Sequence, residues 1–117
     1  MTSTMHDTSH LPADPEGEAT ALRALVATVE RVRQEELVDE FVALFRADAV
    51  WTTSTGARLY GREAIAAFTA KALPGWTAGG ARATYEVEHV SFVRPDVAAV
   101  KVRQRYFAPD GEGSHPP

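Results

Sequence analysis

Cysteine is absent from the 117-residue sequence, which excludes disulfides, thiolate zinc sites and a cysteine nucleophile. Long apolar runs are also missing, and none approaches the roughly 20 residues that a membrane-spanning helix needs. The opening stretch MTSTMHDTSHLPADPEGE has neither the basic start nor the apolar run of a secretory signal, so a cytoplasmic protein with no membrane association is expected. An excess of positive charge is lacking too. Lys and Arg number 12 against 16 Asp and Glu, a net charge of −4 that argues against nucleic acid as a partner. No Gly-rich phosphate loop occurs. The segment GWTAGG (75–80) has neither the P-loop lysine nor dinucleotide spacing after a strand, and no cofactor is expected.

What remains is a composition 44% apolar and 24% charged, that of a globular domain of ordinary size with one core. Residues 1–17, rich in Thr, Ser, Pro and Asp, read as a flexible tail before a single domain over 18–117. His6 and His10 have i, i+4 spacing, but Pro12 and the lack of apolar partners argue against a helical metal pair, and no metal site is assigned. From Glu18, the spacing of Leu22, Leu25, Val26, Val29 and Val32 predicts an amphipathic helix. Leu37, Val38, Phe41, Leu44 and Phe45 continue the spacing after the polar group RQEE, where one long helix bends or, as we favour, two helices meet.

The segment ADAVWTTSTGARLYG predicts two short strands joined near Ser54–Gly56. Gly61 then starts a helix with Ile65, Phe68, Thr69 and Ala72 on one side, ended by Leu73-Pro74-Gly75. The stretch TYEVEHVSFVRPDVAAVKVRQRYF (84–107) reads as a hairpin about a type I turn at Arg94-Pro95-Asp96-Val97. Counting from that turn sets Glu88 opposite Arg103 and Glu86 opposite Arg105 on one face, a charged ladder with Lys101 that is solvated or faces another subunit. The other face carries Tyr85, Val87, His89, Ser91, Val93, Ala98, Val100, Val102, Gln104 and Tyr106.

Polar groups on an otherwise apolar face need partners or a ligand. His89 is the acid/base candidate, since an unperturbed imidazole titrates near neutral pH, with Tyr106, Gln104 and Tyr85 as polarising donors. Neither Ser91 nor Ser54 sits in a nucleophile motif, so a Ser–His–acid triad is not read here. Asp48 reads as a turn residue rather than a base. Trp51, Thr53, Tyr60, Phe68 and Trp76 would complete an aromatic pocket for a flat or conjugated ligand, with Trp76 closing its mouth from a Gly-flanked loop; Trp51 and Phe68 also suit an ordinary core.

The run LFRADAVWTTSTGARLYGREAIAAFTAKALPG, with VSFVRPDVAAVKVRQRY, resembles the SgcJ/EcaC group of the SnoaL-like, NTF2-like superfamily over about residues 19–110. The resemblance implies an α+β cone, in which helices pack on a curved antiparallel sheet around an apolar cavity, and a homodimer joined through the sheet. It further implies a place in enediyne polyketide biosynthesis and a hydrophobic polyketide ligand. The activity would be cofactor-independent cyclase- or isomerase-like acid/base chemistry or, as the rival reading, non-catalytic shielding of a reactive intermediate. No residue here matches the acidic group that SnoaL-like cyclases use, and the sequence ends at GEGSHPP where the resemblance leads one to expect two further strands.

Overall fold

The computed structural model describes residues 8–109 and 113–114. Its elements run α1 (Pro15–Gln34), α2 (Val38–Val42), β1 (Val50–Thr52), β2 (Arg58–Tyr60), α3 (Arg62–Ala72), a 3₁₀ turn (Ala78–Gly80), β3 (Arg82–Arg94), β4 (Val97–Phe107) and β5 (Gly113–Ser114). This is the expected mixed α+β architecture, with β1 and β2 forming one antiparallel pair and β3, β4 and β5 a three-stranded sheet in that order. The described chain divides into two compact units. One comprises the residues before Thr28 with Tyr85–Arg103, and the other Thr28–Thr84 with the chain from Gln104.

Helix α1 starts earlier than its apolar spacing suggests because of local chemistry. Asp14 precedes Pro15, and its Oδ1 accepts the backbone N–H of Gly17 at 3.1 Å, capping a helix whose first residue is a proline with no N–H to satisfy. Leu22, Val26 and Val29 are half-buried and Val32 fully buried, as their spacing predicts, whereas Leu25 is exposed. The helix stops in the polar group RQEE. Glu36 takes a positive φ of 58°, a conformation that breaks the helical path, and the chain re-enters helix as α2. Two helices therefore meet where two were favoured. His10 is exposed, and His6 lies outside the described residues.

In the first unit, the side chain of Glu88 holds Arg103 at 2.7 Å and Lys101 at 3.3 Å, so the charges gather on one face of the hairpin as counted. On β4 the alternation is regular: Ala98, Val100, Val102, Gln104 and Tyr106 are half-buried and the residues between Val97 and Arg105 that alternate with them are exposed. On β3 it is not. Tyr85, Val87, Val90 and Phe92 are half-buried, while His89, Ser91 and Val93 are exposed. The turn-side half of the mixed face is therefore exposed at His89, Ser91 and Val93 rather than enclosed.

The second unit holds the core, in which Val32, Phe41 and Leu73 are buried and Val29, Leu37, Val38, Phe45, Trp51 and Trp76 pack against them. Trp51 is the aromatic hub: its ring lies 5.7 Å from Phe41, 6.0 Å from Phe45 and 5.4 Å from Phe68, the last at a 90° edge-to-face angle. Such pairs add about 0.5–1.5 kcal/mol each beyond the area they bury. Ile65, fully buried on α3, adds roughly 1.5–3 kcal/mol by its transfer from water.

Candidate functional site

A cavity of about 340 Å³ opens within the second unit. Its walls are largely rings: Phe41 from α2, Trp51 from β1, Phe68 from α3 and Trp76 from the loop after α3, with Leu73 beside them. The polar part of the lining comes from Thr52 at the end of β1, Thr53 and Ser54 just after it, Thr69 on α3, Gln104 on β4 and Arg33 on α1. The size lies at the small end of the range for ligand pockets.

The β1–β2 turn sets the first polar corner. Thr53 N–H donates to the carbonyl of Ala57 at 2.8 Å, and the Thr53 hydroxyl oxygen accepts the Ala57 N–H at 3.2 Å and meets the Thr55 hydroxyl at 3.2 Å. Thr53 is thus at the cavity as expected, but its hydroxyl is engaged in holding the turn. Register decides the rest of the hairpin. Trp51 pairs with Leu59, and Val50 with Tyr60. Because neighbouring residues on a strand face opposite ways, placing Trp51 inward turns Tyr60 outward, where it is 67% exposed and does not line the cavity.

Trp76 is fixed by a network that no spacing in the sequence announces. Its indole Nε1 donates to the backbone carbonyl of Arg33 at 2.6 Å. Next to it, the Glu36 carboxylate accepts the backbone N–H of Gly75 at 2.6 Å and of Thr77 at 3.4 Å, and the Thr77 hydroxyl as well. The bond from Gly75 foremost, then the Thr77 hydroxyl, holds the Glu36 carboxyl below its ordinary range. Gln34 completes the clamp: its Nε2 donates to the Ala81 carbonyl and its Oε1 accepts the Ala83 N–H, both at 3.2 Å. The helix-breaking RQEE group, which sequence reasoning treated only as a boundary, is therefore the anchor for the loop that carries Trp76.

The predicted site residues separate accordingly. Trp51, Thr53, Phe68, Trp76 and Gln104 line one cavity. Tyr106 is not among the lining residues, although its ring lies 6.3 Å from that of Trp76. Tyr85, half-buried, and His89, exposed, belong to the other unit and are likewise not lining residues. Sequence reasoning missed Arg33 and passed over Thr69, whose position four residues after Ile65 on the apolar side of α3 was the available signal. The Arg33 guanidinium lies 6.0 Å from the centre of the Phe41 ring, within cation–π range.

Two polar atoms stand out: Thr69 Oγ1 and Gln104 Nε2 are buried and have no hydrogen-bond partner among the described residues. Both belong to cavity-lining side chains. Among the described residues, His, Asp and Glu side chains do not gather in a group that would hold a metal ion, and no helix is long and apolar enough to cross a membrane.

Helices with an antiparallel sheet and an aromatic cavity define a class of small α+β domains that enclose a ligand-sized space. Within that class, the SnoaL-like domain family matches residues 22–115, and the chain belongs to this family, within the NTF2-like superfamily. The chain is also similar to a crystal structure from Nostoc punctiforme described as a domain of unknown function with a cystatin-like fold. The two are 30% identical with a TM-score of 0.73 over 84% of this chain. This chain spans 60% of the length of that one. No curated protein matches the sequence.

Proposed function

We propose that this protein binds a flat, conjugated small molecule in the cavity of its second unit and acts as a binder that shields or delivers it. The observation that carries this reading is the lining itself: the rings of Phe41, Trp51, Phe68 and Trp76 surround a space in which the polar groups are hydroxyl, amide and guanidinium. Rings of this kind hold an extended π-system by stacking and by exclusion of water. Among the described residues the charged group in that lining is the guanidinium of Arg33, which donates hydrogen bonds and accepts none. That chemistry favours binding over the cyclase- or isomerase-like alternative, which needs a group able to give and take a proton.

The resemblance to the SgcJ/EcaC group extends the proposal to a polyketide of enediyne biosynthesis as the ligand, and to a homodimer joined through the sheet of β3, β4 and β5. The test uses substoichiometric protein and a conjugated linear polyene of polyketide type, followed by absorption over time. A spectral change that saturates at one equivalent per chain is the expected result. A change continuing well beyond one equivalent would mean turnover, and would replace the binder by an enzyme.

A further inference from the structure

Thr69 sits in the interior of α3, where a threonine hydroxyl ordinarily bonds back to the carbonyl one turn earlier; here the residue is 2% exposed and its Oγ1 has no partner among the described residues. Gln104 comes from a different element, β4, and its Nε2 is likewise buried with no partner among the described residues. Other polar groups at or beside this cavity are satisfied: the Thr53 hydroxyl by its turn, the Trp76 indole by Arg33, both ends of the Gln34 amide by Ala81 and Ala83. Two exceptions on side chains that line one cavity form a pattern, since each is a buried polar group that no described residue satisfies.

Resting on the cavity-binding reading above, we infer that Thr69 and Gln104 form a specificity-determining donor pair that selects a ligand with a carbonyl or enolate oxygen attached to its conjugated system. The amide nitrogen of Gln104 can only donate, so the group it meets must accept. The Thr69 hydroxyl rotates to donate to an acceptor on the same ligand. A conjugated hydrocarbon of the same shape fills the aromatic walls equally well but gives neither donor an acceptor. A site built this way discriminates chiefly by rejecting the ligand that lacks the acceptor.

The experiment compares a near-isosteric pair, 2-acetylnaphthalene and 2-isopropenylnaphthalene, by quenching of tryptophan emission. The proteins are the full chain, Thr69→Val, Gln104→Leu and the double variant. The full chain is expected to bind the ketone roughly tenfold or more tightly than the alkene, the difference an unsatisfied buried donor produces. In the double variant that ratio falls to about 1 because alkene binding tightens while ketone binding weakens, and the tighter alkene binding itself reports a folded cavity. Equal affinities in the full chain would overturn the donor pair while leaving the cavity-binding reading intact. A preference for the ketone that survives in the double variant would overturn the assignment to these two residues. Binding of neither probe would overturn both readings. Should Gln104→Leu not fold, the ratio in the full chain and in Thr69→Val decides alone.

Discussion

The indole N–H of Trp76 donates to the backbone carbonyl of Arg33 at 2.6 Å, tying the loop after α3 to the last turn of α1. That carbonyl also accepts the N–H of Glu36 at 3.2 Å, so the indole is its second donor at the helix end. The bond also fixes the ring that walls the cavity.

Replacing Trp76 by Phe keeps much of the ring surface and deletes that bond. The expected loss is about 1 kcal/mol of stability, seen as a lower urea midpoint with an unchanged slope. An unchanged midpoint would mean that the bond contributes nothing net.

Acid should loosen the same loop. Hydrogen bonds from Gly75, then from the Thr77 hydroxyl, hold the Glu36 carboxyl below its ordinary range. A carboxyl whose folded value is depressed contributes stability that is full above its unfolded value and is lost as pH falls through the folded value. Trp76 emission is therefore expected to shift on acidification below the usual carboxylate range, and Glu36→Gln should flatten that response. Asp48, held low by Arg46, and Glu88, held low by Arg103 and then Lys101, titrate in the same direction. The decisive quantity is the difference between the variant and the parent protein, and identical acid profiles would remove Glu36 from the account.

Gln34→Leu removes both amide bonds at once and leaves the carbonyl of Ala81 and the N–H of Ala83 without them, at residues 2% and 5% exposed. A cost of about 1–3 kcal/mol is expected. Hydrogen exchange would show whether it is local, with the Ala83 amide losing protection first.

Strand parity makes a contrast between neighbours on one hairpin. Trp51→Ala removes the ring shared by Phe41, Phe45 and Phe68 and should cost about 3 kcal/mol. Tyr60→Ala, on the outward side, should change stability by no more than about 0.5 kcal/mol and leave ligand affinity as it was. Comparable losses from both would contradict the register that pairs Trp51 with Leu59.

Much of the fold was legible in the residues. The apolar side of α1, the break at RQEE, the glycine start of α3 and the hairpin about Pro95 all follow from periods and turn chemistry that act within a few residues. The start of α1 was passed over, since reading the helix from Glu18 left Asp14-Pro15 in the tail, where Asp14 caps a helix that begins at Pro15. The candidate site was legible in its aromatic half, through Trp51, Phe68 and Trp76, and in Gln104. His89, read onto the same face, is exposed and does not line this cavity, because the sequence pattern does not show which part of a strand other elements cover.

Local periodicity, turn residues and capping chemistry thus came from the sequence by itself, and with them the α+β class. Tertiary structure alone decided which polar groups are satisfied. Glu36 finds Gly75 across 39 residues and Gln34 finds Ala83 across 49, pairings that no local pattern encodes. The same packing brings Thr69 and Gln104 to one cavity and leaves their donors without a partner among the described residues. A side chain's propensity acts through its immediate neighbours, but its hydrogen bonds depend on which distant backbone arrives beside it, and that is fixed only when the core closes.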